Sequence, residues 1–113
     1  MLFRIAVATL IGSAVLSFMD AKAAGIALGI GGKSCAYWQS SPSRQAEGAI
    51  WILGYWSGFD DMEQNIQSVG QDIGEQGRIE EVKKTCDALP NISLSEATAR
   101  TYWELWKRPA KRP

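Results

Sequence analysis

The 113-residue sequence predicts an all-α fold, a small helical bundle of three to four short helices tethered by one disulfide. Three observations carry that expectation. Residues 78–89 and 93–107 repeat apolar side chains at three- and four-residue spacing, the helical period. A long apolar run, residues 49–59, follows a Ser-Pro start signal at Ser41-Pro42. The chain holds two cysteines, Cys35 and Cys86, far enough apart to join the first helical region to a later one.

Met1–Ala23 opens with Arg4, continues through the apolar stretch Ile5–Phe18 and closes on Ala21-Lys22-Ala23. A short positive region, an apolar run and an A-x-A site read as a secretory signal peptide, cleaved after Ala23. The run is shorter than the ~20 residues of a membrane span, and Asp20 and Lys22 close it with charge. Export to an oxidising compartment is therefore expected. There Cys35 and Cys86 should pair, because an oxidising compartment holds no thioredoxin pool to keep them reduced. Closing so long a loop removes about 4 kcal/mol of unfolded-state entropy in the chain-entropy model, a large share of a small domain's stability.

Residues 24–34 are glycine-rich and read as a flexible leader. They match the loosest form of a phosphate-binding loop at Ala27–Ser34, but the residues before the match read as a cleaved signal rather than a buried strand, and Cys35 and a turn are expected after it, so nucleotide binding is not expected. The helical domain is expected over 35–107. Its first long helix runs from Ser43 to Met62, and Ala49–Phe59 is apolar on nearly every side of the wheel. Gly54 and Gly58, with Ser57 beside them, make a smooth stripe suited either to a homodimer contact or to close packing of two helices within one subunit. Asp60, Asp61 and Glu63 end the apolar run as a solvated helix end, without the ligand pattern of a calcium loop. Residues 64–77 read as a loop pinned by Val69 and Ile73.

The next helix, Arg78–Leu89, places Ile79, Val82, Cys86 and Leu89 on one face and a Glu80–Lys84 pair outside, and Pro90 ends it. The last begins at Ser93, three residues before Glu96, the spacing of a capping box. Leu94, Ala97, Thr98, Thr101, Tyr102 and Leu105 form its inner stripe, with Trp103 and Trp106 on or beside it. Residues 108–113 are a basic, proline-spaced tail.

Composition narrows the function. Twelve basic against twelve acidic residues give no net charge, which speaks against binding nucleic acid by blanket phosphate neutralisation. With no histidine, neither a Ser-His nor a Cys-His pair can form, and two cysteines cannot complete a zinc site. The acids Asp60, Asp61, Asp72 and Glu75 lie in a polar, glycine-rich region where nothing would raise a carboxyl pKa for acid catalysis. No catalytic residue, metal, cofactor or small-molecule substrate is expected. From Ala24 on the chain carries nine aromatic residues, more than three short helices easily hide. That surplus points to a protein that binds other proteins.

Cys35 followed by Tyr37-Trp38, the Pro-led apolar helix with its Gly54-Tyr55 step, the Asp72-Ile73-Gly74 loop, the helix bearing Cys86 and the Trp103–Arg112 end together resemble the HdeA-like family of periplasmic acid-stress chaperones. The resemblance covers Cys35 to the C-terminus. It implies a homodimeric helical protein that opens in strong acid and holds denatured periplasmic proteins through Trp51, Tyr55, Trp56 and Phe59, with Cys35–Cys86 as the tether. The Gly54-Tyr55 step and Pro90 are also similar to the Tai-type immunity proteins, which implies inhibition of a periplasmic peptidoglycan-degrading toxin instead.

Overall fold

The structure, a computed structural model, describes residues 27–65 and 67–108. The expected signal peptide, the first residues of the leader and the tail beyond Arg108 lie outside the described residues. Among those described there are four helices and no strand: α1 (Cys35–Trp38), α2 (Pro42–Met62), α3 (Gly74–Ala88) and α4 (Leu94–Lys107), with 3₁₀ turns at Gly29–Gly32 and Gln71–Ile73. None of these helices is long and apolar enough to cross a membrane.

Three of the four starts follow from a local hydrogen bond. Ser34 Oγ accepts from the Tyr37 N–H, Ser41 Oγ from Arg44 and Ser93 Oγ from Glu96, so three helices open on a serine cap. Pro42 supplies the first residue of α2, where its missing N–H costs nothing. The second half of the expected capping box differs: the Glu96 carboxylate turns to Arg100, 3.6 Å away. Lys84 likewise pairs with Glu81 at 3.7 Å, while Glu80 accepts from Gln76.

Two expected boundaries move. The glycine-rich leader is folded from Gly29 on: Ile30 is 4% exposed, and Gly31 lies beneath the Trp51 indole with no room for a Cβ. The small residues that suggested mobility are what let this backbone pass under a ring. It is then fastened, because Trp51 Nε1–H donates to the Leu28 carbonyl (3.2 Å) and the Leu94 N–H to Lys33 (2.8 Å). The helix read as Arg78–Leu89 begins four residues earlier, at Gly74. Glycine's low helix propensity hid that first turn, but Gly77 without a side chain lets Ile73 fold back against it.

Cys35 and Cys86 are joined, with Cα atoms 5.2 Å apart and both residues essentially buried. The bond is flanked by backbone pairing of the same two regions: Cys35 N–H to Ile92 O (2.8 Å) and Ala36 N–H to Pro90 O (3.0 Å). Around it the core packs Trp38, Ile52, Trp56, Val82, Leu94 and Tyr102. The α4 inner stripe is buried at all six expected positions. Its two threonines satisfy themselves by donating to the carbonyls of Leu94 and Ala97.

Candidate functional site: the α2–α4 aromatic seam and Asp60

Helices α2 and α4 meet along a continuous series of rings. Trp51 touches Tyr55 (centroids 5.0 Å apart), Tyr55 touches Phe59 (4.7 Å), and Phe59 reaches across to Tyr102 (5.1 Å). Tyr102 then meets Trp103 edge-on at 5.2 Å, and Trp103 meets Trp106 at 5.7 Å. The spacing on α2 explains the series, since residues 51, 55 and 59 are four apart and stack along one face. Trp51, Tyr55, Phe59 and Trp103 are each half-buried, so the seam presents apolar ring surface outward while its base is part of the core. Burial raises the Tyr55 phenol above the usual tyrosine range.

Trp56 is buried in this folded state. It is 2% exposed, and its Nε1–H donates to the Val69 carbonyl at 2.8 Å. Residues 48, 52 and 56 form the stripe of α2 that faces the core, one step round the helix from 51, 55 and 59. Trp56 therefore anchors the seam from below while the fold is closed.

The glycine stripe also resolves. A Cβ at Gly54 or Gly58 would meet nothing within 4 Å among the described residues, and Ser57 Oγ donates to its own helix at Leu53. These positions face outward beside the exposed Ile50 and touch no other helix among the described residues.

Asp60 is the group that sequence reasoning missed. Its carboxylate is not a solvated helix end but a hub. Oδ1 accepts from the Tyr102 hydroxyl (2.9 Å), the Val69 N–H (3.2 Å) and Asn65 Nδ2 (3.3 Å), and Oδ2 accepts from Ser68 Oγ. On the other side of the same loop, Arg78 donates to Ser68 Oγ (2.9 Å) and to the Val69 carbonyl (3.0 Å). Asn65, Ser68 and Val69 thus form a strap across the base of the seam, held by one carboxylate, one guanidinium and the Trp56 indole. Partial burial works to raise the Asp60 pKa, but the bonds from Ser68, Val69, Tyr102 and Asn65 outweigh it and bring it below the usual carboxylate range. Tyr102 is pushed up, first by desolvation and then by its bond to Asp60 and that carboxylate's charge. A signal was present in the sequence: Asp60 continues the stripe Gly48, Ile52, Trp56 at four-residue spacing.

At Trp103 the seam runs into an apolar groove of about 630 Å³ between α3 and α4, lined by Ala88, Leu89, Ala99 and Trp103. Leu89, expected on the buried face, is 39% exposed and forms one wall. Asp61, Asp72 and Glu75 are exposed and Asp60 is occupied as an acceptor, so the four acids do not converge into one site.

No family model matches the chain, and no curated protein and no solved structure matches it. What the fold and site define is a class: a small all-α protein, closed by one disulfide, with a partly exposed aromatic seam whose base is tied down by a carboxylate.

Proposed function

We propose that the chain is an exported, HdeA-like binding protein that opens in strong acid and then holds denatured proteins against its aromatic seam. The observation that supports this reading best is Asp60. The strap over Trp56 and Tyr102 depends on a carboxylate whose bonds are strong only while it is ionised. A carboxyl with a lowered native pKa stabilises the fold above its unfolded value, near 3.9, and the contribution is lost as pH falls through the native value.

Charge acts in the same direction. Residues 24–113 carry eleven carboxylates and ten basic side chains. In strong acid the carboxylates go neutral and the bases stay charged, so self-repulsion adds to the loss of the Asp60 bonds. The Cys35–Cys86 bond does not titrate, and it would keep the opened chain tethered near its native topology. Trp51, Tyr55, Phe59 and Trp103 would supply adaptable apolar surface, and the positive charge would keep a loaded complex soluble. The disulfide also favours the periplasm as the site of action.

The test is light scattering from an aggregation-prone protein at pH 2.5 and at pH 7, with and without the oxidised protein. Suppression in acid alone supports an acid-activated holdase. Unchanged scattering, with the helices intact in acid, removes that reading and turns the groove at Leu89 and Trp103 toward a folded partner such as a toxin.

A further inference from the structure

A second depression, of about 580 Å³, lies between the 68–73 loop, α3 at Glu81 and the last turn of α4. We propose that it binds a neutral saccharide, with Trp106 as the platform on which a sugar ring lies. This goes beyond the acid-binding reading and shares none of its seam contacts except the Trp103–Trp106 edge.

Four features carry the inference. The size is within the range of about 300–1,000 Å³ typical of small-ligand sites. Trp106 is 53% exposed, whereas Trp38 and Trp56 in the same fold are at most 2% exposed. The face of an indole carries the negative end of its quadrupole and attracts the weakly positive C–H groups on one face of a pyranose. The remaining lining is mixed: Val69, Ile73 and Leu105 are apolar, and the Gln71 amide, the Asp72 and Glu81 carboxylates and the Arg108 guanidinium are planar and polar. Such groups meet vicinal hydroxyls in pairs, as acceptor or donor.

Charge selects for a neutral ligand. Glu81 has Arg108 at 3.6 Å and Lys84 at 3.7 Å, and with the exposed Asp72 this sets two acids against two bases, so the rim carries no net charge to attract an ion. An aliphatic ligand would leave the amide and carboxylates unpaired. The rim is already ordered. Gly70 sits in the left-handed region (φ 74°), and Ser68 and Val69 are fixed by Asp60 and Arg78, so little conformational freedom remains to be lost on binding.

The experiment is an NMR titration of the full, oxidised chain at pH 7 with chitotetraose and with maltotetraose, beside glucose 6-phosphate as an anionic comparison. Saturable shifts of the Ser68–Ile73 amides and the Trp106 indole N–H with at least one tetrasaccharide are expected. Trp106→Ala should weaken binding by about tenfold or more, and Trp103→Ala should leave it unchanged. Because Trp106 is exposed, its truncation leaves the core intact, which far-UV circular dichroism checks. No saturable shift with either tetrasaccharide overturns the proposal, as do shifts confined to Leu89 and Trp103 or tighter binding of the phosphate.

Discussion

Replacing Asp60 by asparagine isolates the charge at the strap while keeping its shape. Asn Oδ1 retains the bonds from Tyr102, Val69 and Asn65, but as a neutral acceptor. Its Nδ2 faces Ser68 Oγ, which already receives a donor from Arg78. Charge-assisted bonds contribute about 1.5–3 kcal/mol and neutral ones about 0.5–1.5, so weakening the two strongest would cost about 2–3 kcal/mol in a dry site. Asp60 is only partly buried, and water competes for it, so the expected loss at pH 7 is about 1–2 kcal/mol. The sign follows from the lowered pKa: the wild-type advantage is complete above about pH 5 and fades below pH 4, as Asp60 takes up its proton. Urea unfolding at pH 7, 5, 3.5 and 2.5 reads this directly. The two stability curves should be separated at pH 7 and converge near pH 2.5. Parallel curves, or equal stability at pH 7, would refute the assignment of Asp60 as an acid-labile tie.

Other substitutions test other parts of the fold. Gly48→Ala drives a methyl into the Trp38 ring and should destabilise by about 1–3 kcal/mol in thermal unfolding. Gly54→Ala and Gly58→Ala, which point into open space on the same helix, should each stabilise by about 0.5–1 kcal/mol. Any change in sedimentation behaviour on those two substitutions would reveal a self-association surface. Trp56→Phe removes the donor to the Val69 carbonyl, and a loss of about 1–3 kcal/mol should appear as a lower urea midpoint with an unchanged slope. The double change Cys35→Ala, Cys86→Ala should cost about 4 kcal/mol, since the bond closes 51 positions of chain, and should leave the protein largely unfolded in mild denaturant.

The parts of the fold legible in the sequence were those with local rules. The caps at Ser41 and Ser93, Pro42, the α4 stripe and the cysteine pair each depend on residues close together or on a simple spacing, whereas the short helix capped by Ser34 is not among the legible parts. The missed parts depend on what lies across the fold. Glycines at 29, 31 and 32 look mobile until Trp51 is known to lie over Gly31. Trp56 and Trp51 look alike on an apolar wheel, and only the positions of α4 and of the strap of Asn65, Ser68 and Val69 decide which one turns inward. Asp60 looked like the start of a polar end because three of its four donors, Ser68, Val69 and Tyr102, are eight or more residues away. The i, i+4 continuation from Ile52 and Trp56 placed it inward, but a charged residue there is predictable only when its donors are known.

The central claim is that acid opening and client binding are one event. One pH titration from 7 to 2 can follow near-ultraviolet circular dichroism of the oxidised protein and, in matched samples, light scattering of an aggregation-prone client. The account predicts that loss of aromatic packing and onset of suppression share a midpoint below pH 4, and that Asp60→Asn flattens the dependence of both. Aromatic signals that persist to pH 2, or suppression that is already complete at pH 7, would contradict it.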